Sequence, residues 1–297
     1  MSETLILKSK PVVESLNIKH KSLVEQLKSK SLIPKLTVVI VGDDPASQVY
    51  VRRKGQSCEN LGIASDTIAL KADTSEPELL SLIAKLNADK SNHGILVQSP
   101  LPKQINDDKV ILAINPVKDV DCFHPQNVGL LVSGNPYMQP CTPAGIVEIL
   151  KYYEISPEGK HVVIMGRSNI VGKPLANLLV QKKQFANATV TIVHSRTKSI
   201  GELTKQADIL IAAIGQPHFV TEDMCKKDCV IIDVGMNRID ADNEKGFALV
   251  GDVKYDEVFE KVSAITPVPG GVGPMTIAML MQNTITAAAK QGGIQIG

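Results

Sequence analysis

The chain has 297 residues, of which 43% are hydrophobic and 21% charged, a composition typical of a globular protein with one large or two medium domains. Its 32 Lys and Arg residues nearly balance its 31 Asp and Glu residues, so we expect no attraction to nucleic acid or to an anionic membrane. Neither a signal peptide nor a membrane-spanning segment is expected. We therefore predict a small-molecule partner and a cytoplasmic location.

The five cysteines are scattered along the chain, and none belongs to a Cys-x-x-Cys pair. An odd number without this spacing predicts reduced thiols rather than a disulfide framework or a zinc site. The closest pair, Cys225 and Cys229, lies among Lys and Asp residues without a histidine at ligand spacing. We therefore predict no metal. The cysteines are Cys58, Cys122, Cys141, Cys225 and Cys229.

Strand-like and helix-like segments alternate along the chain, which predicts an α/β fold with a mostly parallel sheet. Seven runs rich in β-branched apolar residues predict buried strands. These runs are 36–41, 63–70, 94–97, 162–165, 189–193, 209–212 and 230–234.

After the first of these strands, Ser47 could cap a helix that places Tyr50 and Lys54 on one face. A phenol and an ammonium group placed this way can exchange a proton or hold a substrate. Short-chain dehydrogenases carry the same pair after their nucleotide-binding turn, whereas here it comes long before any such turn. A surface helix with an incidental tyrosine remains an alternative.

Gln98 ends the strand at 94–97, where the carboxyl ends of parallel strands face a ligand crevice. It is placed to touch a substrate or to tune Lys54, and a loop-capping glutamine is the alternative. Asp119 and Asp121 follow in a stretch where carboxylates are usually solvated. One of them could accept hydrogen bonds from a donor-rich heterocycle.

Residues 115–143 are rich in proline, glycine and asparagine, and this stretch predicts the junction between two domains. A linking helix over 142–154 would follow it, because Thr142 can cap this helix and Pro143 suits its first turn. The second domain then starts near Lys160.

The strand at 162–165 leads into a glycine-rich turn, 166–174, with a helix starting near Pro174. Such a turn brings backbone N–H groups close to a phosphate, and the helix N-terminus adds partial positive charge. The spacing departs from Gly-x-Gly-x-x-Gly, so an ordinary turn between strand and helix is also compatible.

The next strand ends without the Asp or Glu that binds the adenine ribose in NAD enzymes. Instead, Ser195 and Arg196, together with Arg167, could surround a 2′-phosphate. The sequence therefore favours NADP over NAD, although solvated residues at a strand end would give the same pattern.

A final helix is predicted over about 276–291, and its apolar face has to be buried, which suggests a return to the first domain. This gives a first domain of residues 1–141 plus 276–297 and a second domain of 142–275. The apolar face consists of Ile277, Leu280, Met281 and Ile285.

Taken together, these segments resemble the methylenetetrahydrofolate dehydrogenase/cyclohydrolase family, and they span nearly the whole chain. The stretch 266–276 is the most specific, because a run so rich in proline and glycine is difficult to explain as a generic turn. The matching stretches are 47–54, 97–102, 118–121, 140–145, 166–174, 233–237 and 266–276.

The resemblance implies an N-terminal α/β catalytic domain that binds folate, a C-terminal Rossmann-like NADP-binding domain and a cleft between them. It implies NADP-dependent oxidation of 5,10-methylenetetrahydrofolate and hydrolysis of the product to 10-formyltetrahydrofolate. These reactions belong to one-carbon metabolism, tetrahydrofolate interconversion and purine biosynthesis. The resemblance also implies a homodimer.

By the same resemblance, Lys54 matches the catalytic lysine, Tyr50 the residue that orients the substrate, Gln98 the residue that modulates the lysine, and Asp121 the pterin-binding aspartate. Hydrolysis needs a base, and a neutral Lys54 fits if its pKa falls from about 10.4 toward the working pH. The implied NADP contacts are Gly166, Arg167, Ser168, Ser195, Met236, Gly270 and Gly271, and Pro269 and Gly270 join the substrate contacts.

Two positions depart from the family pattern, which usually has Gly where Cys122 stands and Leu where Ser99 stands. A glycine permits a positive φ or a close approach of the ligand, so Cys122 is the more consequential change. Because of Cys122, a regulator that binds NADP but has an inactive folate site is an alternative function. A dehydrogenase of the shikimate or amino-acid type also explains the layout, but it does not explain the stretch 266–276.

Overall fold

The structure is a computed structural model that describes residues 3–243 and 246–296. The strands are β1 (Leu5–Ile6), β2 (Lys35–Val41), β3 (Ala64–Leu70), β4 (Gly94–Val97), β5 (His161–Met165), β6 (Thr189–Val193), β7 (Ile209–Ala212), β8 (Val230–Asp233), β9 (Asn237–Asp240), β10 (Phe247–Val250) and β11 (Ala264–Ile265). The α-helices are α1 (Ser9–Lys28), α2 (Pro45–Leu61), α3 (Glu76–Ala88), α4 (Asp107–Ala113), α5 (Pro125–Val132), α6 (Cys141–Tyr152), α7 (Gly172–Leu179), α8 (Ile200–Thr204), α9 (Tyr255–Val258) and α10 (Val272–Gln291).

The predicted α/β class is confirmed, and all seven predicted strands are present with each end within one residue of its expected position. The described residues divide into two compact units, each with its own sheet. We call them the three-stranded unit and the six-stranded unit. In the described part of the chain, no helix combines the length and the apolar character needed to cross a membrane.

The three-stranded unit comprises the described residues from Ser15 to Cys141 and from Ile277 onward. Its sheet has the order β3-β2-β4, and both pairings are parallel. The central strand β2 is buried from Leu36 to Val41 as predicted. The prediction of burial is wrong for β3, which is largely exposed because it lies at the edge of the sheet. Because the strands are parallel, the loop from β2 into α2 and the residue that follows β4, Gln98, lie at the same edge of the sheet.

Within the three-stranded unit, α10 is buried on more than the predicted apolar face. Leu280, Met281 and Ile285 are buried as expected, whereas Ile277 is only half-buried. The polar residues Asn283 and Thr284 are buried as well. A polar side chain in this position needs internal hydrogen-bond partners. The helix therefore contributes hydrogen bonds to this unit as well as apolar packing.

The six-stranded unit comprises the described residues up to Glu14 and those from Thr142 to Thr276. Its sheet has the order β1-β11-β8-β7-β5-β6 and is parallel throughout, and β9 and β10 form a separate antiparallel hairpin. The sequence division placed the N-terminus in the first domain. In the structure β1 instead pairs with β11, and Leu5 N donates to Ser263 O at 2.9 Å.

Two predicted helix caps differ from those in the structure. Asp44, not Ser47, caps α2, because Pro45 occupies the first turn and the Asp44 carboxylate accepts from Ser47 N at 2.7 Å. Helix α6 begins at Cys141, so Thr142 lies inside it. The Thr142 hydroxyl is instead hydrogen-bonded to the Thr276 hydroxyl at 3.0 Å.

Candidate active site

Lys54 and Gln98 are brought together in the three-stranded unit. Lys54 Nζ, on α2, donates to Gln98 Oε1 at 2.9 Å. The glutamine is itself fixed, because its backbone N–H donates to Val39 O at 2.8 Å and its Nε2 donates to Ser99 O at 2.7 Å. With Nε2 committed to Ser99, the amide presents its oxygen to the lysine. A neutral Lys54 can satisfy that oxygen with one N–H and keep its lone pair free for a proton.

Asp121 is the third member of this group. Burial lowers the pKa of Lys54, and the negative charge of Asp121 opposes that shift. Burial likewise raises the pKa of Asp121 to about 6, with the Lys54 charge acting in the opposite direction. The two side chains therefore share one poorly solvated environment, in which the charge state of each depends on the other.

Tyr50 lies one helical turn before Lys54 on α2 and is half-buried. Residues four apart on a helix are neighbours on its surface, so the phenol belongs to the same face as the lysine. The structure thus keeps the predicted spacing of Tyr50 and Lys54.

Asp119, the other acidic candidate, has a different task. Its Oδ2 accepts from His124 N and from Asn127 Nδ2, both at 2.8 Å, and the residue is 3% exposed. These bonds hold together the loop that follows it. Asp119 therefore has a structural role in this loop.

The two positions expected to depart from the family pattern are Cys122 and Ser99. Cys122 adopts φ +62°, in the left-handed region, and its side chain is buried. The backbone conformation that favours glycine is thus kept, although a cysteine occupies the position. Ser99 contacts Gln98 through its carbonyl oxygen, which any residue would supply, and its side chain is exposed.

The six-stranded unit contains a cavity of about 550 Å³ at the carboxyl ends of β5 and β6. Four of the predicted cofactor residues line it. They are Gly166, Arg167, Ser168 and Ser195. The remaining lining residues are Met165, Val193, His194, Ile200, Ala213, Ile214, Gln216 and Phe219.

The turn at Gly166 is built by close backbone packing. Gly166 has φ +128°, and a Cβ there would overlap the carbonyl oxygen of Ala213. A Cβ on Gly172 would overlap the carbonyl oxygen of Gly166. Ser168 Oγ accepts from Val171 N at 3.1 Å, so its hydroxyl secures the turn just before α7 begins. This arrangement of strand, tight turn and helix fits a nucleotide phosphate.

The backbone at the end of β6 is held by local hydrogen bonds. His194 N donates to the Thr197 hydroxyl at 3.0 Å, and Arg196 N donates to His194 Nδ1 at 3.2 Å. The side chains of Arg167 and Ser195 remain exposed beside the cavity. A planar cation and a hydroxyl suit a 2′-phosphate, whereas a ribose would favour a carboxylate.

The other predicted contacts form a second group in the six-stranded unit. Among the residues described, Met236, Pro269, Gly270 and Gly271 are not part of the cavity lining. Ser9 fixes the glycine-rich turn, because its N–H and its hydroxyl both donate to Gly270 O, at 2.9 and 2.8 Å. The Met236 side chain reaches the same segment, since a Cβ on Gly273 would lie 2.9 Å from Met236 Cε.

Asp252 is a structurally important residue that the sequence analysis missed. It is fully buried, and its Oδ2 accepts from Ile214 N at 2.7 Å and from Gly215 N at 3.0 Å, while its Oδ1 accepts from Asn237 Nδ2 at 2.9 Å. Ile214 lines the cavity, so this carboxylate shapes the cavity wall.

Asp233 lies next to Asp252 and organises the same region. Its Oδ1 accepts from Gly235 N and Asp252 N, and its Oδ2 accepts from Val253 N. Burial raises the pKa of Asp233 to about 6, and the neighbouring charge of Asp252 adds to the shift. An aspartate that ends a buried apolar strand was the one sequence signal for this arrangement.

In the ranges that the structure describes, no group of three or more His, Cys, Asp or Glu residues is arranged to hold a metal ion. The five cysteines are buried and free of disulfides. Burial raises the pKa of Cys58 to about 12.

An α/β chain that combines a nucleotide-binding turn in one unit with a half-buried lysine in the other belongs to the class of two-domain NAD(P)-dependent dehydrogenases. Two family models specify it further. The tetrahydrofolate dehydrogenase/cyclohydrolase catalytic domain matches residues 7–121, and the NAD(P)-binding domain of the same family matches residues 140–292. The chain belongs to the tetrahydrofolate dehydrogenase/cyclohydrolase family, as the resemblance indicated.

Individual relatives agree with this assignment. The bifunctional protein FolD of Chloroherpeton thalassium is 57% identical over 285 residues, which cover 95% of this chain and 97% of that protein. The solved structure of the bifunctional enzyme FolD from Campylobacter jejuni is 46% identical, with a TM-score of 0.90 and coverage of 97% and 99%. The Trypanosoma brucei enzyme, solved with NADP and an inhibitor, is 35% identical, with a TM-score of 0.91 and coverage of 98% and 99%. A dehydrogenase of the shikimate type is not favoured, because both domains match this one family.

Proposed function

We propose that the protein oxidises 5,10-methylenetetrahydrofolate to 5,10-methenyltetrahydrofolate with NADP and then hydrolyses this product to 10-formyltetrahydrofolate. The observation that carries the proposal is the group formed by Lys54, Gln98 and Asp121, in a chain whose relatives are named as bifunctional enzymes of this kind. We further propose that it acts in the cytoplasm, as the composition predicts, and that it forms a homodimer, which rests on the family resemblance alone.

The proposed folate site lies in the three-stranded unit. Asp121 would accept hydrogen bonds from the N–H groups of the pterin, and Tyr50 would orient the substrate from the same face of α2 as Lys54. The hydride transfer needs no covalent intermediate with the protein, since positioning of the reacting carbons and exclusion of water during that step supply much of its acceleration.

In the six-stranded unit, the backbone around Gly166 and the hydroxyl of Ser168 fit the phosphates of the dinucleotide, and Arg167 with Ser195 fits the 2′-phosphate. Met236 and the segment that contains Pro269, Gly270 and Gly271 would supply the remaining contacts. When bound, NADP supplies the hydride acceptor for the oxidation.

The hydrolytic step needs a base, and Lys54 would provide it. Burial lowers the pKa of Lys54, which increases the fraction of neutral amine at a given pH. As water attacks the methenyl carbon, Nζ would take one proton from the water. When the carbon–nitrogen bond then breaks, this proton would pass to the folate nitrogen. The remaining hydroxyl proton of the intermediate would leave to solvent as the formyl C=O forms, which accounts for the positive charge of the methenyl substrate. Gln98 Oε1 would hold the amine through one N–H while the lone pair takes up the proton.

The experiment that tests the proposal replaces Lys54 by methionine, which keeps a long side chain without the amine. Hydrolysis of methenyltetrahydrofolate, followed by its absorbance, should be lost, because no base remains to take up the proton of the attacking water. NADP and NAD should be compared in the dehydrogenase assay of the same preparations. Arg53→Met is the matched control, because Arg53 is an exposed cation on the same helix. Full hydrolytic activity in Lys54→Met would overturn the assigned role.

The regulator with an inactive folate site gives a different result in the same experiment. Such a protein would bind NADP but would turn over neither folate substrate, even as the unaltered chain. The intact contact between Lys54 and Gln98 and the retained positive φ at Cys122 favour the enzyme.

A further inference from the structure

Asn283 is a buried amide in the middle of α10, with 3% of its surface exposed. Its Nδ2 donates to Val120 O at 2.7 Å and to Gln139 O at 2.8 Å. One amide therefore connects the C-terminal helix to two loops that are distant in sequence, and both of its N–H groups have a carbonyl acceptor.

The bond to Val120 bears directly on Asp121. The carbonyl group of Val120 and the backbone nitrogen of Asp121 belong to the same planar peptide unit, so a bond that fixes one fixes the orientation of the other. On the N-terminal side, the loop is already fixed by Ile95 N, which donates to Lys118 O at 2.8 Å. Asn283 provides the fixed point immediately before the carboxylate that is assigned to the pterin.

Two thiols surround the same amide. Cys141 Sγ lies 3.6 Å and Cys122 Sγ lies 3.8 Å from Asn283 Nδ2, and Cys141 Sγ also donates weakly to Val120 O at 3.5 Å. Because both amide hydrogens have stronger carbonyl acceptors, the thiols act mainly as packing around Asn283. Burial raises the pKa of both thiols well above the usual value, which makes them poor nucleophiles.

We propose that Asn283 is a positioning residue that holds the Asp121 carboxylate in place for the substrate and for Lys54. The inference rests on the proposed function and assigns to this site a residue from the far end of the chain. Asn283 acts through Asp121 and has no role of its own in the chemistry.

Displacement of the Asp121 carboxylate should change the pKa of Lys54 in a defined direction. The charged or titratable groups that act on Lys54 are Asp121 and Cys141, and those that act on Asp121 are Lys54 and Asp119. Asp121 raises the pKa of Lys54 against the effect of burial. If the carboxylate is allowed to move away, the pKa of Lys54 falls further, and the rise of hydrolysis with pH shifts to lower pH.

The test compares Asn283→Ala with Thr284→Val. Thr284 is the next residue of α10 and is equally buried, but its hydroxyl donates to Leu280 O within the helix. Both variants should lose stability, so loss of stability alone does not distinguish them. We expect kcat/KM for hydrolysis to fall about tenfold in Asn283→Ala, as for residues that share a hydrogen-bond network. Its pH profile should also shift to lower pH, and Thr284→Val should change neither.

A double-mutant cycle with Asp121→Ala completes the experiment. If Asn283 acts through Asp121, the double variant should be no less active than Asp121→Ala alone. If Asn283→Ala does not fold, Asn283→Ser, which keeps one donor, enters the same comparison. Independent losses that multiply, or equal pH profiles for the Asn283 and Thr284 variants, would overturn the inference. Absence of both activities in the unaltered chain would instead refute the proposed function.

Discussion

Replacing Asp252 by asparagine measures how far the wall of the nucleotide cavity depends on one buried carboxylate. Each of its three partners is a donor: the N–H groups of Ile214 and Gly215 on Oδ2, and the Asn237 amide on Oδ1. An asparagine at this position keeps one oxygen, which can still face the two backbone groups. Its new NH₂ then meets the Asn237 amide, which has to turn over to present its own oxygen.

The size of the effect follows from these three bonds. A hydrogen bond to a charged acceptor contributes about 1.5–3 kcal/mol and a neutral one about 0.5–1.5 kcal/mol, so losing the charge at Asp252 costs about 1 kcal/mol per bond. Relief of repulsion with Asp233 offsets part of that sum. We expect Asp252→Asn to lower the free energy of unfolding by about 1–3 kcal/mol. Asp252→Ala leaves buried donors unpaired, at about 1–3 kcal/mol each, and should lower it by more.

The pH dependence provides a second measurement. A carboxyl group whose pKa is higher in the folded chain than in the unfolded chain stabilises the fold below its unfolded pKa, and this contribution is lost as the pH rises through the folded value. For Asp233 the window runs from 3.8 to about 6. Since the charge of Asp252 helps to raise the pKa of Asp233, Asp252→Asn should reduce this pH dependence.

Denaturant unfolding followed by circular dichroism, at pH 7 and at pH 4.5, measures both effects. The matched control is Asp256→Asn, an exposed acid in the same unit, for which we expect a change of no more than about 0.5 kcal/mol. NADP binding to Asp252→Asn should weaken in parallel, because Ile214 lines the cavity. An unfolding midpoint equal to that of Asp256→Asn at pH 7 would refute the assignment of Asp252 as the anchor of this wall.

Two further substitutions test the backbone at Cys122 and the phosphate-binding role of Arg167. Cys122→Gly relieves about 1–2 kcal/mol of left-handed backbone strain. It also loses buried side-chain contacts and makes the unfolded chain more flexible. The free energy of unfolding, measured by thermal denaturation, should therefore change by less than about 1 kcal/mol. Cys122→Val should cost about 2 kcal/mol or more, and equal stability of the two variants would contradict the strain argument. Arg167→Ala should raise the KM for NADP about tenfold or more and leave that for NAD unchanged, because a charged contact to the 2′-phosphate is lost. A parallel loss with NAD would assign Arg167 to another part of the nucleotide.

The strands that the sequence predicted are those whose pattern is local. Each of the seven is recognisable from its own residues, although β3 and β6 are less buried than the apolar pattern predicted. Strands β1 and β11 have two residues each. They pair with each other across more than 250 positions, at Leu5 with Ala264 and at Ile6 with Ile265, and β11 also pairs with β8. No local pattern predicts such a pairing, and for that reason the sequence division placed the N-terminus in the other domain.

In the candidate site as well, local sequence patterns predicted some residues, and contacts between distant residues determine the others. The positions of Lys54 and Gln98 follow from a helix and a strand end, which the local sequence predicts, and the roles came from the family resemblance. Asn283 lies 163 positions from Val120, and Asp252 lies 38 positions from Ile214. These side chains satisfy backbone groups elsewhere in the fold, so the sequence near them carries no trace of what they bind.

The structure at Ser99 and Cys122 argues against an inactive folate site. At Ser99 the contact to Gln98 uses the main chain, so the side chain can vary without moving the amide. At Cys122 the left-handed conformation costs about 1–2 kcal/mol, which is small beside the 5–15 kcal/mol that stabilise a typical fold. The buried thiol lies 3.8 Å from the Asn283 amide, which also holds the peptide before Asp121. The hydrogen bond between Lys54 and Gln98 is therefore formed with both Cys122 and Ser99 in the chain, as an active enzyme requires.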